Sequence, residues 1–236
     1  LHLVHALVGP ELDANVDPIS GMPGPGFRSA ADTLLREAAE LARERAPEVE
    51  ITTEVIDGNS VPVLVHASQG SDLLVLGGRG LGRLMTLIVG SKSLALAARA
   101  HCPVVVVRGN IDGDGPVGLV HHETSTEVVA RAADLAEAYG RDIHLVVRPG
   151  TSPEQAQEIL AATAQRIALS HPSVFVKDVA VATSDNAKQL VEASENASVM
   201  VVAGERDEGG SGKIAAPRQL VNVLRYANTP VWIERE

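Results

Sequence analysis

"AHCPVVVVR" at residues 100–108 returns as "ANTPVWIER" at residues 227–235. Each is a short aliphatic run entered through a proline, the pattern of a buried strand whose first residue needs no ladder donor. Three further stretches repeat in the same order. "HLVHAL" (2–7) answers "HLVVRP" (144–149), "VLVHAS" (63–68) answers "QLVEAS" (189–194), and "SDLLVLGG" (71–78) answers "ASVMVVAGE" (197–205). Ala67 and Ala193 are 126 positions apart and Pro103 and Pro230 are 127 apart, so the two offsets agree to one residue. His2 and His144 are 142 apart, which makes the first copy about 16 residues longer near its start. That excess matches "GPELDANVDPISGMPGPGFR" (9–28), rich in proline and glycine and read as a long surface loop. The chain is a duplication.

Within each copy, aliphatic runs alternate with amphipathic stretches. The first copy predicts strands near 1–6, 50–56, 72–77 and 103–107, with helices near 29–45, 60–69 and 90–100. Ser29 is the expected N-cap of the first helix. The second copy predicts strands at 117–120, 143–148, 174–182, 198–203 and 230–234. Its helices are expected at 125–139, 153–169, 185–195 and 216–227. Strands alternating with helices at this spacing mean crossover units and parallel sheets, an α/β fold of doubly wound, Rossmann-like domains. "GNIDGDGP" (109–116) reads as the connection between copies, giving domains 1–109 and 117–236 with a linker at 110–116. The second copy spends 27 residues on a strand and helix before reaching "HLVVRP", whereas the first begins on that strand. The expectation is therefore a first domain whose first strand is missing from this sequence, with roughly 25 more residues upstream by analogy with the βαβ pattern.

The totals narrow the function. Of 236 residues, 45% are hydrophobic and only 2% aromatic, so Val, Ala and Leu supply the cores. A net charge of −10 argues against binding nucleic acid or an acidic membrane, both of which need a positive field. No apolar run approaches the ~18 residues of a spanning helix. The single Cys102 excludes an internal disulfide and CxxC metal or redox motifs, and its place before Pro103 suits a buried small residue. A cytoplasmic protein is expected.

Chemistry concentrates at "LGGRGLGRLMTLIVGSKS" (76–93). Gly77, Gly80 and Gly82 follow the strand "LLVL", where the ligand crevice of an open parallel sheet lies. Glycines there let phosphate oxygens approach bare amides, and successive amides form an anion-binding nest. Gly90 and Ser91 open the next helix, whose first-turn amides and dipole also favour an anion. Ser91 and Ser93 add hydroxyl donors, while Arg79, Arg83 and Lys92 add positive charge.

These residues resemble the nucleotide motif of the universal stress protein family: Gly, two residues, Gly, nine residues, Gly, then Ser or Thr. Gly77, Gly80, Gly90 and Ser91 fit it without a gap. "SDLLVLGGRG" (71–80) and "HCPVVVVR" (101–108) are similar to that family's last two strands. The likeness extends over both copies, as in a tandem, actinobacterial member. The resemblance implies five parallel strands per domain in the order 3-2-1-4-5. It implies that Gly77, Gly80, Gly90, Ser91 and Ser93 bind phosphates, and that Val55 and Ile56, with Gly58 beyond, line an adenosine pocket. The implied ligand is ATP, with or without Mg²⁺, or AMP or another adenine nucleotide. The second copy departs from the motif: Pro217 and Arg218 stand at the positions of Gly90 and Ser91, and Asp207 at that of Gly80. Its expected role is to complete an internal pseudo-dimer through Val104–Val107 and Val231–Ile233, because an edge strand that apolar needs covering. The same closing strands leave room for a homodimer.

The leading functional reading is a stress-response regulator that binds ATP without rapid turnover. No P-loop GxxxxGK[ST] is present and no catalytic residue or metal site is assigned. The alternatives are a slow ATPase or adenylate-forming hydrolase on a related fold, and a ligand-free interaction module with a vestigial glycine loop. His121 and His122 are read as loop histidines, since neighbouring strand residues point to opposite faces and cannot easily share one ion. His5 and His144 are read as core or crevice histidines, and Asp57 as a turn former before Gly58.

Overall fold

A computed structural model of the chain describes residues 1–8, 25–77, 91–120, 126–147, 151–181, 192, 194–204, 221, 223–224 and 227–235. The chain forms two compact units, Leu1–Ser71 and Asp72–Glu236.

The first unit carries a two-stranded parallel sheet of β1 (His2–Leu7) and β2 (Thr52–Asp57), in register from His2 opposite Thr52 to Leu7 opposite Asp57. Between them runs α1 (Pro25–Arg45), and α2 (Ser60–Ala67) follows. Ala31, Leu35 and Ala39 are the buried residues of α1, spaced four apart, so they form one stripe along the helix. Arg36 and Glu40 pair on its outer surface at 3.6 Å. The helix starts four residues before the expected N-cap Ser29, which lies inside its first turns. Pro25 explains the early start: proline at the first helical position has its φ preset and gives up only an amide that would be unpaired anyway. The loop expected over 9–28 is thus shortened at its end, and residues 9–24 lie outside the described residues.

The second unit is built on a seven-stranded sheet. Its strands are β3 (Leu74–Gly77), β4 (Val104–Val107), β5 (Val117–Val120), β6 (Ile143–Val147), β7 (Val176–Val181), β8 (Val199–Gly204) and β9 (Val231–Arg235), in the order β3-β4-β9-β8-β5-β6-β7. Its helices are α3 (Ser91–Arg99), α4 (Thr126–Tyr139) and α5 (Pro153–Ser170). The helices expected at 185–195 and 216–227 fall largely outside the described residues; positions 192, 194, 195, 221, 223 and 224 are helical. The five strands of the second copy lie in the order β7-β6-β5-β8-β9, which is the expected 3-2-1-4-5, all parallel.

β5 and β8 are buried along their whole length, because helices or loops cover both faces of a parallel sheet. Alternate residues serve two cores. Val117, Leu119, Val199 and Val201 pack with Val128, Ala132, Ala133 and Ala136 of α4. Val120, Met200 and Val202 pack on the other face with Ala97, Val223, Leu224 and Ala227. The capping box of α5, in which Ser152 Oγ accepts from the Gln155 amide at 3.2 Å and Gln155 accepts from the Ser152 amide at 3.1 Å, fixes where that helix begins.

The first copy contributes to both units: β1, α1, β2 and α2 to one, β3, α3 and β4 to the other. In the second copy, β6 and β8 flank β5. Their first-copy counterparts, β1 and β3, are each the last strand of their sheet among the described residues. β4 joins β9 antiparallel, with Val104 opposite Ile233, Val105 opposite Trp232 and Val106 opposite Val231. These are the two apolar closing strands whose mutual pairing the sequence predicts. Residues 105 and 232 are 127 apart, the offset of the repeat, so a pseudo-twofold axis passes through the Val105–Trp232 pair.

Candidate functional site

The segment that reads as a phosphate cradle begins at the end of β3. β3 and β4 are parallel neighbours in register from Leu74 opposite Val104 to Gly77 opposite Val107. The helix between two parallel strands must return antiparallel to them. The end of β3 at Gly77 and the start of α3 at Ser91 therefore both belong to the carboxyl edge of the sheet, where open α/β sheets take ligands.

Gly77 is exposed, and a Cβ built on it would meet no described atom within 4 Å. Packing against the described residues thus gives no reason for glycine at this position. The first turn of α3 carries no acidic residue, Lys92 is exposed and Ser93 is half-buried. Beyond that turn Ala95, Leu96, Ala97 and Ala98 are buried and anchor the helix to the core. Of the predicted site, Arg79, Gly80, Gly82 and Gly90 lie outside the described residues, and Ser91 is described by its backbone alone.

Val55 and Ile56 belong to the other compact unit, as adjacent residues of β2. Val55 lines a groove of about 250 Å³ together with Thr53 and Asp32, Leu35, Arg36, Ala39 and Arg43 of α1. Adjacent strand residues alternate in direction, so Ile56 points to the face opposite Val55. Gly58, just beyond, has φ of 143°, a conformation open to glycine, and its amide donates to the Leu7 carbonyl at 2.9 Å. Asp57, read as a turn former, is engaged by Arg28 of α1 in an exposed ion pair. His5 and His144 sit on β1 and β6, half-buried, and His121 and His122 lie outside the described residues.

Three features near the copy junction were not foreseen. Glu234 is buried, with its Oε2 accepting from Arg131 Nε at 2.8 Å and from Trp232 Nε1 at 2.9 Å. The Arg131 guanidinium lies 5.0 Å from the centre of the Trp232 ring. Arg108 and Arg235, the last residues of the two repeated motifs, reach helix-end carbonyls of the opposite copy. Burial pulls the Arg108 guanidinium below its ordinary value. The shared terminal arginine of "VVVVR" and "VWIER" was the available signal for the last feature. Cys102 is buried, as expected, at 4% exposure, and desolvation raises its thiol above the ordinary value. No group of three or more metal-ligating side chains occurs among the described residues, and no described helix is long and apolar enough to cross a membrane.

Known proteins with related sequences agree with this architecture. The profile of the Universal stress protein family matches residues 1–108. The universal stress protein Rv2624c of Mycobacterium tuberculosis is 30% identical over 223 residues, 87% of this chain and 77% of that protein. Rv2623 of the same organism is 29% identical over 229 residues, 89% of this chain and 76% of that protein. Among solved structures, a universal stress protein from Archaeoglobus fulgidus superposes with a TM-score of 0.68 at 16% identity, over 100% of this chain and 86% of that one. The last likeness is one of fold.

Proposed function

The chain belongs to the universal stress protein family, and we propose that it is a stress-response regulatory protein that binds an adenine nucleotide, ATP, in its first copy. The phosphates sit against the Gly-x2-Gly-x9-Gly-Ser segment from Gly77 to Ser91, and the second copy, with its degenerate motif, completes an internal pseudo-dimer. The domains in this reading are residues 1–109 and 117–236, and the protein is cytoplasmic.

One observation supports the reading most directly. A cation in the first turn of a helix opposes the helix dipole and costs about 0.3–1 kcal/mol. Lys92 stands there exposed, with no acidic residue in that turn to offset it. A bound anion removes the conflict. The room that the described residues leave beside Gly77 and the hydroxyl of Ser93 fit the same ligand. Mg²⁺ would arrive with the nucleotide rather than in a protein cage.

Titration calorimetry with ATP and Mg²⁺ tests the assignment. The protein binds, and Gly80→Asp, which puts a carboxylate among the phosphates, abolishes binding. Unchanged affinity in that variant rejects the cradle, and a parent protein that ignores millimolar ATP rejects the nucleotide.

A further inference from the structure

Arg108 and Arg235 each close one copy, and each serves the other. Arg235 donates from Nη2 to the Leu96 carbonyl at 3.3 Å and from Nε to the Cys102 carbonyl at 3.4 Å. Arg108 donates from Nη1 to the Leu224 carbonyl. Positions 108 and 235 are 127 apart, the offset of the repeat, and Leu96 and Leu224 differ from that offset by one residue. The contacts are therefore reciprocal about the Val105–Trp232 axis, as at an isologous interface. Both arginines meet carbonyl groups near the carboxyl end of a helix, where the partial charge is negative and a guanidinium is favoured. Leu96 also accepts from the Ala100 amide at 2.9 Å, so the arginine takes its second lone pair.

The two clamped helices belong to copies that differ in their glycine motif. α3 has nine residues, roughly 13 Å of helix, and its amino end opens the proposed cradle. The helix held by Arg108 belongs to the copy in which the motif is lost. The geometry points to Arg235 as a positioning residue: the second copy binds no nucleotide, yet its last strand holds the carboxyl end of α3 so that the amides at the amino end stay aimed at the phosphates. This rests on the nucleotide reading given above. It assigns the degenerate copy a part in ligand binding, delivered across the seam by one side chain.

Arg235→Gln and Arg108→Gln each remove one of the two reciprocal clamps, which makes either the control for the other. Hydrogen exchange of the segment 91–99 speeds up in Arg235→Gln and stays at the parent rate in Arg108→Gln. Calorimetry with ATP and Mg²⁺ shows affinity about fivefold weaker in Arg235→Gln, the lower end of ordinary coupling between sites. Arg108→Gln keeps the parent affinity, and Arg235→Lys recovers part of the loss. Equal loss in the two glutamine variants overturns the proposal, because a general effect of stability would act on both. Unchanged exchange of α3 in Arg235→Gln overturns it as well. A parent protein without affinity for ATP fails the nucleotide reading and the binding half of this one, while exchange of α3 alone still decides the clamp. Should Arg235→Gln not fold, Arg235→Lys, which keeps the charge and loses the planar fork, carries the same comparison.

Discussion

Replacing Arg131 by methionine isolates the cost of a buried carboxylate. Glu234 is 7% exposed and its Oε2 takes bonds from Arg131 Nε at 2.8 Å and Trp232 Nε1 at 2.9 Å, while Oε1 takes the Arg235 amide at 3.3 Å. Methionine keeps much of the stem that packs near Trp232 but removes the charge. Loss of one hydrogen bond to a charged group costs about 1.5–3 kcal/mol, and loss of a stacked cation about 0.5–1 kcal/mol. Stripping a fully buried ion pair of one partner costs about 3–5 kcal/mol, which bounds the effect from above. Arg131 is 36% exposed on its side chain, so water already competes for it, and two donors to Glu234 survive. The expected loss is about 2 kcal/mol. Urea unfolding followed by the fluorescence of the one tryptophan measures it, since Trp232 lies in the second unit beside the altered site. Adding Glu234→Gln to Arg131→Met neutralises the stranded charge and returns part of the stability. A single variant within about 0.5 kcal/mol of the parent, the ordinary range for surface changes, would refute the reasoning. So would a double variant no more stable than Arg131→Met.

Two glycines with nearly equal positive φ should respond differently to alanine. Gly109 (φ 59°) has the Asn228 carbonyl oxygen 2.1 Å from where a Cβ would stand, whereas Gly140 (φ 60°) has no described atom within 4 Å. Gly140→Ala costs the left-handed strain alone, about 1–2 kcal/mol, and Gly109→Ala about 3 kcal/mol or more because backbone must also move; thermal unfolding of both gives the difference. Cys102 should react with a thiol reagent only as fast as the second unit opens, because its buried thiol is held neutral. Its raised value means that this contribution is complete below the ordinary thiol value of 9.0 and is lost as pH climbs through the folded one. Cys102→Ala therefore flattens the alkaline limb of a stability-versus-pH curve.

Much of this architecture could be read from repetition. The offset of 127 residues pairs Pro103 with Pro230, and the strands that follow them are the ones that meet. That the strands of the second copy run parallel follows from the alternation of strands and helices, whereas their order 3-2-1-4-5 is what the family resemblance implies. The start of α1 was misplaced because Ser29 is as good a cap in isolation as Pro25 is an opening residue, and local propensity does not rank the two. Val55 and Ile56 could be placed on a strand by pattern, but which faces α1 depends on register with β1, a tertiary fact. The Arg131–Glu234 pair joins residues 103 positions apart and left no periodic trace.

The axis through Val105 and Trp232 bears on how such a chain can change over time. Were the two halves separate, identical polypeptides, whatever sat on that axis would face its own twin, valine against valine or indole against indole. Covalent fusion lifts the requirement. One half keeps a small residue while the other acquires a large one, and the neighbours of the large one, Arg131 and Glu234, can be recruited on that side without a mirrored pair to satisfy. A doubled gene is free to become lopsided at the very line where a homodimer must stay even.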